Sequence, residues 1–184
     1  MRIDGILREL AKSEHELYPK ATTDDVAKTE ALIGTSLPES YRQFAMEFSN
    51  GAYLFMLQEV SAVGDGNEQI GPLQNIFHRV WTTGEALTSE ELEAAIEFRE
   101  GGTVRRRYLV PFSLDHNGNE WCFVAESLGA DNEYPVAYLD NSNHKLFGRL
   151  ENFAAWLKIL IDAGDEVIRT LYDDDVIYDE LGLG

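Results

Sequence analysis

The side chains of this sequence that could do chemistry are four histidines, one cysteine, a basic triplet and several carboxylate-rich stretches. His15, His78, His116 and His144 stand apart, and none has the i, i+4 partner that puts two imidazoles on one helix face for zinc. His116 lies in the turn Asp115-His-Asn-Gly-Asn119, where an acid–base or metal role is conceivable but a solvated turn residue is the simpler reading. Cys122 is the single cysteine, which excludes an internal disulfide and a cysteine-based zinc site. Between Trp121 and Phe123 it suits apolar packing; a reactive thiolate wants an electropositive setting. Ser113 and Ser127 sit in no nucleophile-elbow pattern. Asp173-Asp174-Asp175 offers hard oxygen ligands, yet lacks the spaced ligands and glycine of a calcium loop, so a solvated acidic face fits better. Gly64-Asp-Gly-Asn67 is too short and too acidic for a phosphate loop. The expectation is a chain with no catalytic residues, no metal site and no cofactor, hence not an enzyme.

What remains is binding. Between Ser113 and Asp140 there are six carboxylates, Asp115, Glu120, Glu126, Asp131, Glu133 and Asp140, and no Lys or Arg. Clustered around loops at one side of a sheet, they would form a partner-binding surface; the alternative is an ordinary solvated sheet face. The whole chain carries 33 acidic and 15 basic residues, a net charge of -18. That repels nucleic acid, whose capture needs Lys and Arg on the phosphates, and favours a basic partner. Arg105-Arg106-Arg107 is the one basic cluster. It is expected to offset Glu97 and Glu100 or to blunt a strand edge, rather than to hold an anion.

The elements that position these groups follow from periodicity. At 184 residues and 44% hydrophobic content, one domain with a sizeable core is expected. No apolar run approaches the roughly 18–20 residues that span a bilayer, so a cytosolic protein without membrane contact is expected. Ile3, Ile6, Leu7, Leu10 and Leu17 share one helical face. Thr22-Thr-Asp-Asp25 opens a second helix as a capping box, with Asp in place of the favoured Glu, and Gly34 caps it. Pro38 starts a third, whose stripe is Tyr41, Phe44, Ala45 and Phe48, and Asn50-Gly51 stops it. Tyr53–Leu57 reads as a strand, as does Leu73–Trp81. Thr88-Ser-Glu-Glu91 is a capping box, stapled by Leu87 and Leu92, for a helix to about Arg99. Strands follow over Tyr108–Ser113, Glu120–Ala125 and Pro135–Asp140, with a short one at Leu146-Phe147. Pro111 demands an edge or a bulge. Leu150, Phe153, Ala154, Leu157, Leu160 and Ile161 mark a helix widened by Trp156, and a second helical piece follows through Val167, Ile168 and Leu171. Helices at both ends of hairpin-connected strands predict an α+β fold with a mainly antiparallel sheet.

Leu32-Ile-Gly34, Leu37-Pro38, Tyr41, Phe44 and Asn50-Gly51, then Leu109-Val-Pro-Phe112, Asn117-Gly-Asn119, Pro135-Val136 and Phe153-Ala-Ala-Trp-Leu157, resemble in order and spacing the SUKH superfamily. This superfamily includes fungal cell-wall regulators and many bacterial toxin-immunity proteins. The resemblance spans roughly residues 24 to 160; Val60 to Gly102 shows little of it. It implies a central, strongly twisted sheet with flanking helices; the chain is read as a single such domain over residues 1–184, its acidic extension from about 165 following from composition. The resemblance also implies a bacterial immunity protein that neutralises a cognate toxin domain by direct contact, a nuclease being one possibility; the charge of -18 adds that this domain is basic. The alternative is a scaffold or regulatory interaction module of the same fold. The matching positions are structural and bring no catalytic residues with them.

Overall fold

The computed structural model describes residues 3–56, 58–80, 83–114, 118–129 and 131–170, with side chains through residue 162. It is an α+β fold built on a six-stranded sheet and a three-stranded sheet. Helix α1 (Ile3–Leu10) buries Ile3, Ile6, Leu7 and Leu10 and ends there. Leu17, expected on the same helical face, instead lies in strand β1 (His15–Leu17) and is exposed. Helix α2 (Thr23–Ile33) has the expected capping box: Thr22 accepts from the Asp25 amide, and Asp25 accepts from the Thr22 amide. Gly34 closes α2 in the left-handed region at φ 71°, where a Cβ would be strained.

Pro38 is extended and sits just before α3 (Glu39–Gln43), which runs into a π-helical turn over Phe44–Phe48. The wider turn rotates Phe48 off the face that Tyr41 and Phe44 share. Phe48 is therefore half-buried and packs against the core, while Tyr41 and Phe44 are completely enclosed.

The expected strand Tyr53–Leu57 is shorter and belongs to a hairpin. Strand β2 (Ala52–Leu54) turns through Phe55 and Met56, both at positive φ, into β3 (Gln58–Val60). Strands β1, β2 and β3 pair antiparallel as the small sheet. Leu73–Trp81 is not a strand: Leu73–Asn75 is a 3-10 turn, and Trp81 lies outside the described residues. Helix α4 (Ser89–Glu93) keeps its capping box but lasts one turn. The chain then enters β4 (Ala95–Phe98), where Ile96 and Phe98 point inward and Ala95 and Glu97 outward. Pairing with two neighbouring strands overrides the helical propensity read for this stretch.

Strands β5 (Thr103–Arg105), β6 (Leu109–Leu114), β7 (Glu120–Val124), β8 (Val136–Asp140) and β9 (Lys145–Leu150) complete the large sheet, in the order β5-β4-β9-β8-β7-β6. All neighbours are antiparallel except β4 and β9. Pro111 lies on β6 at the end of this order, next to a register shift, as its missing amide requires. The small sheet is stitched to β6 there: the Ser61 amide donates to the Phe112 carbonyl at 2.8 Å, and Gln58 Nε2 to Ser113 Oγ at 2.6 Å.

Helix α5 runs unbroken over Phe153–Thr170, so the expected second piece is its continuation. Leu171 and the acidic residues from Asp173 onward lie outside the described residues. Phe153, Trp156 and Leu157 of α5 meet Tyr41 and Phe44 over Phe112 and Phe123 of the sheet, forming one aromatic core. The other sheet face holds a second cluster, Ile96, Phe98, Val104, Leu109, Cys122, Val124, Leu139 and Leu146, around which the sheet curls. Both faces of β7 are thereby covered, and all five of its residues are buried.

Candidate functional site

The basic triplet divides its work. A 3-10 turn over Arg106–Tyr108 sends Arg105 and Arg107 outward to share Glu93, and Arg106 inward. The partners are therefore Glu93 and Glu120 rather than Glu97 and Glu100. Arg106 Nη2 grips both oxygens of Glu120, at 3.2 and 2.9 Å, while its Nη1 reaches Asn141 Oδ1 at 3.5 Å. The Glu120 side chain is 2% exposed and that of Arg106 13%. Burial pushes the Glu120 carboxyl above its usual range, and Arg106 pulls the other way. Cys122 Sγ lies 3.8 Å from the same carboxylate, and burial raises its thiol well above the ordinary value. It is an inert core residue, as its apolar neighbours suggest.

Over this pair opens a cleft of about 530 Å³, lined among others by Arg79, Leu87, Ile96, Arg106, Asn141 and His144. One lip is an irregular hairpin: Arg79 bridges to Ala86, and the Val80 amide donates to the Glu85 carbonyl at 2.8 Å. His78 clasps this lip to the arginine turn by donating Nε2–H to the Arg107 carbonyl at 2.9 Å. Burial lowers the His78 pKa; the Arg107 carbonyl opposes this, and the nearby Arg106 and Arg107 add to it. The other lip is the β8–β9 turn. Asp140 accepts there from the amides of Ser142, at 2.8 Å, and Asn143, at 3.1 Å.

The carboxylates read as one partner-binding surface do not come together. Strand β7 places Glu120 opposite Leu139 at one end of the sheet and Phe123 opposite Val136 at the other. Glu120 and Asp140 therefore lie at the cleft end, and Glu126, Asp131 and Glu133 on the β7–β8 loop at the far end. Five residues at about 3.3 Å each set these ends on the order of 15 Å apart. Glu120 is buried and paired, so it leaves the contact surface altogether. Glu133 is half-buried; it accepts from the Ser40 amide and hydroxyl, both at 2.7 Å, at the start of α3. Burial raises its pKa and the Ser40 bonds offset this. Glu126 and Asp131 are exposed, Asp140 is engaged in its turn, and Asp115, like His116, lies outside the described residues.

Nothing in the sequence pairs Arg106 with Glu120, fourteen positions away, or joins His78, Arg79, Asn141 and His144 into one site; only sheet topology does. One signal was legible, since the Thr88 capping box fixes where Leu87 enters the cleft wall. Among the described residues no group of three His, Cys, Asp or Glu could hold a metal ion. No described helix is long and apolar enough to cross a membrane.

No curated protein matches the chain. The family model of the SMI1 / KNR4 family (SUKH-1) matches residues 20–159, which takes in the aromatic core, the whole large sheet and the cleft. The chain thus belongs to the SMI1 / KNR4 family (SUKH-1).

Proposed function

We propose that this protein is an immunity protein that acts in the cytoplasm by binding a cognate toxin domain and covering its active site, with no turnover of its own. Membership in the SUKH-1 family is the observation that carries this reading. The charge of -18 favours a basic partner, of which a nuclease is the natural example because it must hold phosphates. The β7–β8 loop fits the contact. Glu126 and Asp131 stand exposed on it, beside Leu128, an exposed large apolar side chain that gains from being covered. The loop is held in place by Glu133 on Ser40 and by the Glu39 amide, which donates to the Asn132 carbonyl at 3.0 Å. Such pre-ordering reduces the entropy lost on binding.

The test is to express the toxin domain encoded beside this gene, alone and with this protein. Stoichiometric loss of toxin activity in the mixture, and co-elution of the two chains, is the expected result. Full toxin activity in the presence of excess protein would refute it and favour the scaffold reading.

A further inference from the structure

The cleft has a chemistry that an acidic contact surface does not account for. In a chain with 33 acidic and 15 basic residues, it gathers Arg79, Arg106 and His144. The carboxylates beside them are already engaged. Glu120 holds Arg106, and Glu91 accepts from the Thr88 amide and hydroxyl, at 2.7 and 2.8 Å. Arg79 is exposed and gives one bond to the Gly84 carbonyl, at 2.7 Å. A guanidinium has five N–H donors, so most of this one is available to a ligand. Facing these groups are Val80, Leu87, Ala94, Ala95 and Ile96, which cannot satisfy a charge and gain from an apolar body laid against them.

We propose that this cleft binds a monocarboxylate carried on an apolar body, with the carboxylate on Arg79 and the body against Leu87 and Ile96. The class follows from charge and shape. A planar guanidinium matches a carboxylate with two parallel bonds. A basic group would meet two arginines. A phosphate dianion would ask for more positive charge than the cleft offers, since Glu120 offsets Arg106 and Glu91 lines the same space. The volume of about 530 Å³ lies within the range of about 300–1,000 Å³ typical of small-ligand sites. An arylalkanoic acid and the free carboxy terminus of a peptide ending in an apolar residue share this chemistry. The proposal is independent of the toxin reading, and its test needs no toxin.

The experiment titrates the full chain with 3-phenylpropionate and, separately, with the peptide acetyl-Gly-Gly-Phe. Binding is followed by amide shifts of Leu87, Ala94, Ala95 and Asn141. The amides of both compounds serve as uncharged controls. Saturable binding of either acid, about tenfold or more tighter than its amide, is expected, because the charge-assisted bonds are lost in the amide. Tighter binding of the peptide points to a polypeptide terminus as the natural occupant, and tighter binding of the small acid to a free metabolite; both support the site. Arg79→Gln should weaken binding about tenfold, and Leu87→Glu should abolish it by setting a like charge against the bound acid. Arg79 is exposed and Leu87 half-buried, and an unchanged melting temperature shows that each variant folds. Failure of both acids to saturate, equal binding of acid and amide, or an unchanged affinity in Arg79→Gln would each overturn the assignment.

Discussion

Replacing Arg106 by methionine leaves the Glu120 carboxylate in a site that is 2% exposed, with Asn141 and the Cys122 thiol as its remaining neighbours. Removing one partner of a buried ion pair typically costs about 3–5 kcal/mol, because the orphaned charge stays out of water. For a chain of this length each kcal/mol moves the melting temperature by about 2–4 °C, so a fall of roughly 6–20 °C is expected at neutral pH. The pH dependence tests the cause. Glu120 already holds its proton more tightly in the folded protein than a free carboxyl does, and Arg106 is the charge that counteracts this. Without Arg106 the folded pKa rises further above the unfolded value. A group with a raised folded pKa loses stability as pH climbs from its unfolded value through its folded one. The deficit of Arg106→Met against the parent must therefore be larger at pH 8 than at pH 5. Urea titrations at both values measure it. Arg106→Met with Glu120→Leu should recover most of the loss, since replacing both charges removes the orphan. A deficit below about 1 kcal/mol at pH 8, a pH-independent deficit, or a double variant worse than the single would refute this view of the pair.

Phe44→Ala and Trp156→Ala should each cost about 3–5 kcal/mol in denaturant titrations, and Phe48→Ala distinctly less, because the π-turn leaves Phe48 half-buried. Gly64→Ala should be more destabilising than an ordinary glycine replacement: φ is 69°, and the new Cβ would lie 2.8 Å from the Asp25 Cβ, which a melting-curve comparison with Gly5→Ala checks. The β2–β3 hairpin should loosen in acid. His15 Nε2–H donates to the Leu10 carbonyl at 2.6 Å, and its Nδ1 accepts from the Phe55 amide at 2.9 Å, so protonation displaces the Phe55 bond. Burial lowers the His15 pKa, partly offset by the Leu10 carbonyl. The unfolded chain therefore protonates first, and stability is lost as pH falls from about 6.5 through the folded value. Hydrogen exchange at the Phe55 amide, corrected for intrinsic rates, should gain amplitude over that window; flat protection would contradict it.

The sequence was most readable where a local rule had no competitor. Two capping boxes, the left-handed cap at Gly34 and the irregularity at Pro111 all stand where their chemistry demands. So do β6, β7 and β8, short apolar runs bounded by turn residues in the sequence. Reading failed where a distant partner decides. Ala95–Phe98 continues a capped helix by propensity, yet β5 and β9 claim it as a strand. The turn at Phe55 and Met56 contains no Gly or Asn to announce its positive φ; His15, forty residues earlier, accepts the Phe55 amide that defines it. The acidic stretch failed for a third reason. Composition counts carboxylates but does not say which end of a hairpin each occupies, or that Glu120 faces an arginine rather than water.

The central claim, a binding protein that captures a basic toxin domain electrostatically, is tested most directly by one rate constant. It is the association rate with the toxin domain encoded beside this gene, measured by stopped flow from roughly 0.05 to 0.5 M salt. The rate should fall steeply as the screening length shortens below about 10 Å. Neutralising Glu126 and Asp131 together should lower the low-salt rate several-fold and flatten its salt dependence, while dissociation changes little. A rate that ignores both salt and the neutralised residues, or no association at all, would contradict the claim.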